Sequence, residues 1–306
     1  MSEDSEKIAE YWGRLAKEKV QGETPSRRCP WTDSSLIQKY YIHPTISGRM
    51  DANWFIWVKE NFFFEPAERA LNLGCGDGCL ERHGAAINVF KYCDAFDMSP
   101  GAIEIAKAKA EELGIQERIH YEVADANQIH LKKAVYDVVF SAMALHHIEN
   151  LEHVLEEIGG ALKKDGLFII SEYVGPNHFQ WTDEQLRVAN DLLLLLPERF
   201  RIDPATGIVR NRIDRQPLSH MMAIDPSEGV RSEDIIPLIE ERFRVIKRID
   251  YGGTILNLLL NDIILNFDEN QPEDMAILRL IFYIEKFLIR KKILDSDFTF
   301  MVAQKR

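Results

Sequence analysis

Apolar and polar positions alternate between two rhythms through the middle third of the chain. The short apolar runs "RALNLG", "CDAFDMS", "IHYEVADA", "YDVVFSA" and "GLFIISEYV" read as five strands. Helical patterns lie between them. "SPGAIEIAKAKAEELG" opens on a Ser cap with Pro in its first turn and closes on Gly, while "LEHVLEEIGGALKKDG" ends in lysines and Gly. Strand alternating with helix predicts a parallel sheet with helices on both faces. Further on, "FRVIKRIDY" predicts a sixth strand and "DFTFMVAQKR" a seventh, with helical patterns over 253–267 and 273–292 between them. The expected fold is therefore α/β: a doubly wound, mostly parallel, seven-stranded Rossmann-like sheet.

Two stretches depart from this rhythm. Residues 1–60, rich in Trp, Tyr and His, precede the first strand, and residues 176–232 separate the fifth from the sixth. The second stretch predicts a helix in "TDEQLRVANDLLLLLPERF" and then runs irregularly through "RIDPATGIVRNRIDRQPLSHMMAIDPSEG". A long ordered excursion of this kind usually covers a site. The chain thus reads as one domain over 1–306, with a core at about 68–175 and 233–306 and a helical cap at about 1–60 and 176–232.

Composition narrows the function classes. The 306 residues are 46% hydrophobic, enough to bury one large core. A net charge of -12 argues against nucleic acid as the main partner. Cys29, Cys75, Cys79 and Cys93 lack paired-thiol spacing, and "MSEDSEKIAEYW" is acidic and polar rather than signal-like, which predicts a cytoplasmic protein. The apolar "TILNLLLNDIILNF" is broken by Asn and Asp well short of the ~20 residues a membrane span requires.

The candidate chemistry starts at "LNLGCGDGCLE", where Gly74, Gly76 and Gly78 follow the first strand. Glycines at a strand-to-helix turn let a ligand approach the backbone N–H groups. Cys79 stands where a dinucleotide fingerprint needs its third glycine, so an NAD-dependent oxidoreductase is disfavoured, and the Gly-Lys-Ser/Thr of a phosphate loop is missing. Asp97 ends the second strand nineteen residues after Gly78, at the distance of a ribose-binding carboxylate. Asp125 ends the third strand, where a carboxylate can accept from an adenine amine. Either residue alone reads more readily as a helix cap or turn residue.

Together, "LNLGCGDG", Asp97, "VADAN" with Asp125, and "YDVVFSAMALHHIENLEHVLEEIGGALKKDGLFIISEY" resemble the class I S-adenosylmethionine-dependent methyltransferases over about Arg69 to Tyr173. The resemblance implies S-adenosylmethionine as cofactor and S-adenosylhomocysteine as product. It implies that Asn72, Gly74, Cys75, Gly76 and Gly78 form the methionine side, joined by Ala142 and Met143. Asp97 with Met98 would take the ribose, and Asp125 with Ala126 the adenine. The family carries Glu or Asp where this chain has Asn72. "EYWGRLA" and "EYVGPNHFQWTDEQL" are also similar to a bacterial subgroup associated with polysaccharide or glycolipid synthesis, which implies a polar, glycan-precursor acceptor.

Methyl transfer from a sulfonium is an in-line displacement, so the protein must mainly align its reactants in a water-poor pocket. A hydroxyl acceptor needs a base; an amine needs less help. His146 and His147 follow the fourth strand and are the candidate bases, His146 being slightly preferred, with Glu172 at the end of the fifth strand as a third catalytic candidate. Tyr173, His178 and Trp181 suit recognition of a sugar-like acceptor. Arg210, Arg212 and Arg215 of the insertion are candidate partners of an anionic group or of Glu172. His43, Arg49, Asn53, Trp54 and Trp57 belong to an N-terminal addition expected to fold over the cofactor. No metal site is indicated. The reading from a different class is a catalytically silent adenosyl-ligand-binding or scaffold protein.

Overall fold

The computed structural model describes residues 3–21 and 29–306. Seven strands form one sheet: β1 (Ala67–Leu73), β2 (Phe90–Asp97), β3 (Ile119–Val123), β4 (Tyr136–Ala142), β5 (Leu162–Tyr173), β6 (Phe243–Gly252) and β7 (Phe298–Lys305). Their order is β3-β2-β1-β4-β5-β7-β6, with β7 antiparallel to both its neighbours and the other adjacent pairs parallel. The expected mostly parallel α/β sheet is what forms. Strand order reverses between β1 and β4, and at that switch point the loops leaving the two strands diverge to opposite faces and open a crevice.

Both faces of the sheet are covered, so buried positions alternate between two cores rather than between core and solvent. Ala70, Val138 and Phe140 pack into one apolar cluster with Phe55, Phe90, Ile103 and Phe300. Leu71, Leu73 and Val139 point the other way, into a cluster with Leu151, Val154, Leu155 and Phe168. Ser99 caps the helix Pro100–Glu112, accepting from the Ala102 N–H, as its sequence predicts.

Three expectations about elements change. The helix after β4 stops at Ala161, and Lys163 and Lys164 belong to β5, because Leu162 already pairs with Tyr136. The pattern over 253–267 divides into Leu256–Leu260 and a short turn at Ile263–Asn266. The Asn and Asp that interrupt its apolar run serve another segment: Asn261 accepts from the Trp31 N–H at 2.7 Å and Asp262 from the Cys29 N–H at 2.9 Å.

The N-terminal addition also divides in two. Trp54 and Trp57 pack on the sheet, with rings 5.8 and 5.6 Å from Phe300, so this part is core and not a cover over the crevice. Asn53 caps its helix, His43 meets the Met50 carbonyl, and Arg49 pairs with Asp51 and Glu60 in solvent. The cover is the first helix, Glu3–Gln21, which crosses the helix Pro100–Glu112 where Gly101 lies under Gly13. A Cβ on Gly13 would stand 2.9 Å from the Ser99 hydroxyl, so the glycine of "YWG" sets how closely the two helices approach. Within the cap expected over 1–60, residues 1–2 and 22–28 lie outside the described residues. Among the described residues, no helix is long and apolar enough to cross a membrane.

Candidate active site

A cleft enclosing about 760 Å³, its mouth included, opens beyond the carboxyl ends of β1, β2, β3 and β4. Gly74 and Gly76 supply its floor, Asp97 and Met98 the end of β2, and Asp125, Ala126 and Asn127 the end of β3. Met143, Ala144, His147 and Ile148 follow β4, while Ile8 and Trp12 reach in from the first helix.

The three glycines of the loop have left-handed φ of +66°, +51° and +77°, but they serve different ends. A Cβ on Gly74 would come within 2.4 Å of the Ala144 Cβ, and one on Gly78 within 2.4 Å of the Tyr121 hydroxyl. Those two absences let protein approach protein. A Cβ on Gly76 would meet no atom within 4 Å. Gly76 alone therefore leaves its space to the cleft, and its N–H donates to the Asp97 Oδ2 at 2.9 Å.

Asp97 takes a second hydrogen bond on Oδ1 from the Ser99 N–H at 2.9 Å, fixing the turn after β2. Burial pushes its carboxyl above the usual range, against the pull of those two backbone donors. Asp125 caps the turn Ala126–Gln128, accepting on Oδ1 from the Asn127 N–H at 2.9 Å and on Oδ2 from the Gln128 amide at 3.2 Å. Each carboxylate is both a cap and a wall of the cleft. Met143 holds a left-handed φ of 55° and stays 39% exposed at the cleft, backbone strain of the kind that collects at functional sites.

Four residues expected at the cofactor do not line the cleft. Asn72 is buried beneath the loop and donates its amide to Glu81. Cys75 is buried, with its N–H on the Phe96 carbonyl at 3.0 Å. Gly78 faces Tyr121, and Ala142 lies within the β4–β5 pairing opposite Ser171.

The two histidines part company. His146 is buried, its Nδ1 against Glu172 and its Nε2 3.4 Å from Glu228. Burial opposes its charge, but the two carboxylates outweigh burial and carry it up to about 10. An imidazolium already paired at both nitrogens cannot accept a proton, which removes the preferred base. Glu172 is spent as well. Its Oε2 accepts from the Ala144 and Leu145 N–H groups at 2.9 and 2.8 Å, and its Oε1 from His146 and the Tyr173 N–H. It ties the turn after β4 to the end of β5.

His147 is the histidine on the cleft wall. Its Nδ1 lies 3.1 Å from the Ser227 hydroxyl, and its ring sits edge-on to Trp12 at 5.0 Å. No described residue hydrogen-bonds its Nε2. Burial lowers its pKa, and the neighbouring His146 cation lowers it further, against the opposing pull of Glu228, Asp225 and Glu172. A neutral imidazole is the result. His146, His147 and Glu228, and separately His130, His153 and Glu157, each bring donor atoms within 4.8 Å of one another. In the first group His146 and Glu228 already satisfy each other; in the second, Glu157 accepts from the Leu131 N–H and His153 meets the Ile129 carbonyl.

The expected acceptor-recognition residues lie away from the cleft. Tyr173 is fully buried, its hydroxyl on the Pro176 carbonyl at 2.8 Å. His178 meets the Glu228 carbonyl, and Trp181 stacks on Phe179 at 5.5 Å, so neither offers a sugar platform. The arginines of the insertion are committed too: Arg210 to the Leu259 and Asn261 carbonyls, Arg212 to Asp214, Arg215 to Asp183. What the insertion brings to the site is its tail, Asp225, Ser227 and Glu228. That "DPSE" run carries no periodicity or motif spacing, and Trp12 had a sequence signal only within the quoted "EYWGRLA".

Residues 71–170 match the sequence profile of a methyltransferase domain family. A sterol 4-C-methyltransferase of Caenorhabditis elegans is 27% identical over 125 residues, 40% of this chain and 36% of that protein. A demethylmenaquinone methyltransferase of Leptospira interrogans is 29% identical over 100 residues, 32% of this chain and 40% of its own length. The chain therefore spans about two fifths of the curated relatives it matches. In fold it is similar to a geranyl diphosphate C-methyltransferase of Streptomyces coelicolor, solved with Mg²⁺, geranyl diphosphate and S-adenosylhomocysteine. The TM-score is 0.56 at 12% identity, covering 100% of this chain and 99% of that one.

Proposed function

We propose that this chain, a class I S-adenosylmethionine-dependent methyltransferase by its domain at residues 71–170, methylates a hydroxyl on a compact, largely apolar acceptor, with His147 as the base. One observation carries the reading: the cleft at the β1–β4 switch point brings Gly76, Asp97, Asp125 and Met143 together with an unpaired nitrogen of a neutral His147. The residues fit the cofactor, since the open space above Gly76 is a cradle that any side chain would fill. Bound there, S-adenosylmethionine supplies an activated methyl group. Gly74, Gly76 and Met143 would hold its methionine part, Asp97 and Met98 the ribose, Asp125 and Ala126 the adenine.

The rest is the work of the chain. His147 Nε2 takes the proton that an acceptor hydroxyl sheds as it attacks, a contribution of about 10²–10⁴-fold. A hydroxyl is favoured over an amine because a positioned base helps most where a proton must leave. Ile8, Trp12 and Ile148 exclude water, which strengthens the electrostatics of the site. These walls support an apolar acceptor better than the sugar-like one the sequence suggests. Similar proteins named for a sterol and for demethylmenaquinone support the apolar part of this reading, not the choice of a hydroxyl. Core and cap act as one unit, the core contributing the cofactor walls and the cap contributing Trp12 from one end and Asp225–Glu228 from the other.

Calorimetry with S-adenosylhomocysteine tests the cofactor half. Asp97→Ala is expected to weaken binding by roughly 1.5–3 kcal/mol, the loss of charged hydrogen bonds. His147→Ala should bind normally and lose methyl transfer to apolar alcohols screened with labelled cofactor. Binding of NAD in place of S-adenosylhomocysteine would overturn the reading, and full transfer by His147→Ala would remove the base.

A further inference from the structure

A base is useful only in the right tautomer, and three residues outside the methyltransferase-domain match decide which one His147 adopts. Asp225 is buried and accepts on Oδ1 from both the Ser227 N–H at 2.8 Å and the Ser227 hydroxyl at 2.6 Å. With its only proton given to Asp225, the Ser227 hydroxyl can offer His147 nothing but a lone pair. The 3.1 Å contact at His147 Nδ1 must then be an Nδ1–H donating to Ser227 Oγ, which leaves the lone pair on Nε2. The other oxygen of Asp225, Oδ2, accepts from the Trp12 Nε1–H at 3.0 Å. Trp12 also lines the cleft and packs edge-on against the His147 ring.

We propose that Asp225 and Ser227 are positioning residues that fix His147 as the Nδ1–H tautomer, and that Trp12 locks this arrangement when the first helix covers the cleft. The proposal rests on the base reading above and adds its regulation: the carboxylate that sets the tautomer also holds the cover. Cover and base are thereby read by one side chain. An open cover leaves Asp225 Oδ2 to water and frees the imidazole ring on its Trp12 side. A His147 held by packing alone would have no such dependence.

The test uses the full chain with ¹⁵N-labelled histidine, following the two ring nitrogens of His147 by long-range nitrogen–proton correlation. The parent is expected to show a protonated Nδ1 and a bare Nε2. Ser227→Ala should weaken the Nδ1–H signal, leaving Asp225 Oδ2 at 3.8 Å as its remaining acceptor, and Ser227→Thr should restore the parent pattern. In Asp225→Ala the Ser227 hydroxyl loses its acceptor and its proton is free to turn to His147 Nδ1, so the Nε2–H form should replace the Nδ1–H form. Trp12→Phe should keep the tautomer yet lose the slowly exchanging ring N–H. A parent spectrum with Nε2–H, or a parent-strength Nδ1–H signal retained in Asp225→Ala, overturns the proposal. Calorimetry with S-adenosylhomocysteine on the same samples separates this from failure of the function, since cofactor binding does not require the relay.

Discussion

Among single residues, Glu81 departs furthest from what its sequence position suggests. It sits in an unremarked helix start, yet it is buried under the glycine loop and takes the Asn72 amide on one oxygen, while the other has no partner. Burial pushes it up to about 7, with the Asn72 hydrogen bond opposing. Because the folded value lies above the ordinary 4.5, the folded state holds the proton more tightly, and stability falls as pH rises from 4.5 to about 7. Above that window the loss is complete. Glu81→Gln should abolish this slope in a series of thermal melts and raise the melting temperature at about pH 8 more than at about pH 5. A parallel shift at every pH would mean that Glu81 does not titrate in this window. His147 illustrates the opposite sense. Its pKa is lowered, so activity is expected to persist to pH values below the usual histidine range and to fall only there.

Loops and strand ends show how one motif can mix two duties. The glycines at 74, 76 and 78 look equivalent in sequence, and only their surroundings separate them. Gly76→Ala should cost about 1–3 kcal/mol of backbone strain and lose S-adenosylhomocysteine binding, because its Cβ would occupy the cleft. Gly78→Ala adds a collision with Tyr121 and should show mainly as lost stability in urea titrations. The reverse ordering would place Gly78, not Gly76, at the ligand. Glu172 makes the same point at the end of β5. Glu172→Ala leaves three backbone N–H groups and the His146 cation without their acceptor, so a loss of about 3–5 kcal/mol is expected. Normal stability with abolished turnover would return Glu172 to the chemistry.

At the scale of the whole molecule, the sheet and the cover are separable contributions. Among its described contacts, the first helix meets the rest of the chain at the Gly13–Gly101 crossing, through Trp12 to Asp225, and at the cleft wall. It contributes no strand and, among its described side chains, only Ala9 to the buried apolar core. A chain lacking residues 1–21 should therefore unfold cooperatively while binding S-adenosylhomocysteine about tenfold or more weakly, a loss of roughly 1.4 kcal/mol. Collapse of the fold on this truncation would show that the helix is structural rather than a cover. Arg231 anchors the other end of the cap, bidentate to Glu152 on the helix after β4 and bound also to Asp234. Core and cap therefore meet at the site from two directions.

What the sequence determined by itself was the sheet, the glycine turn and the two carboxylates, Asp97 and Asp125. Those are local facts: apolar runs of strand length, glycine where a turn needs φ > 0, and a cap residue at a strand end are written within a few consecutive positions. The tertiary structure decided which histidine lines the cleft, which glycine borders open space, and that Asn72 is answered by Glu81. Each of those depends on residues far apart in the chain, such as His146 between Glu172 and Glu228, or His147 against Ser227 and Trp12. Adjacent histidines carry the same side chain and the same local signal. Burial and distant charged groups alone carry the pKa of one up and that of the other down.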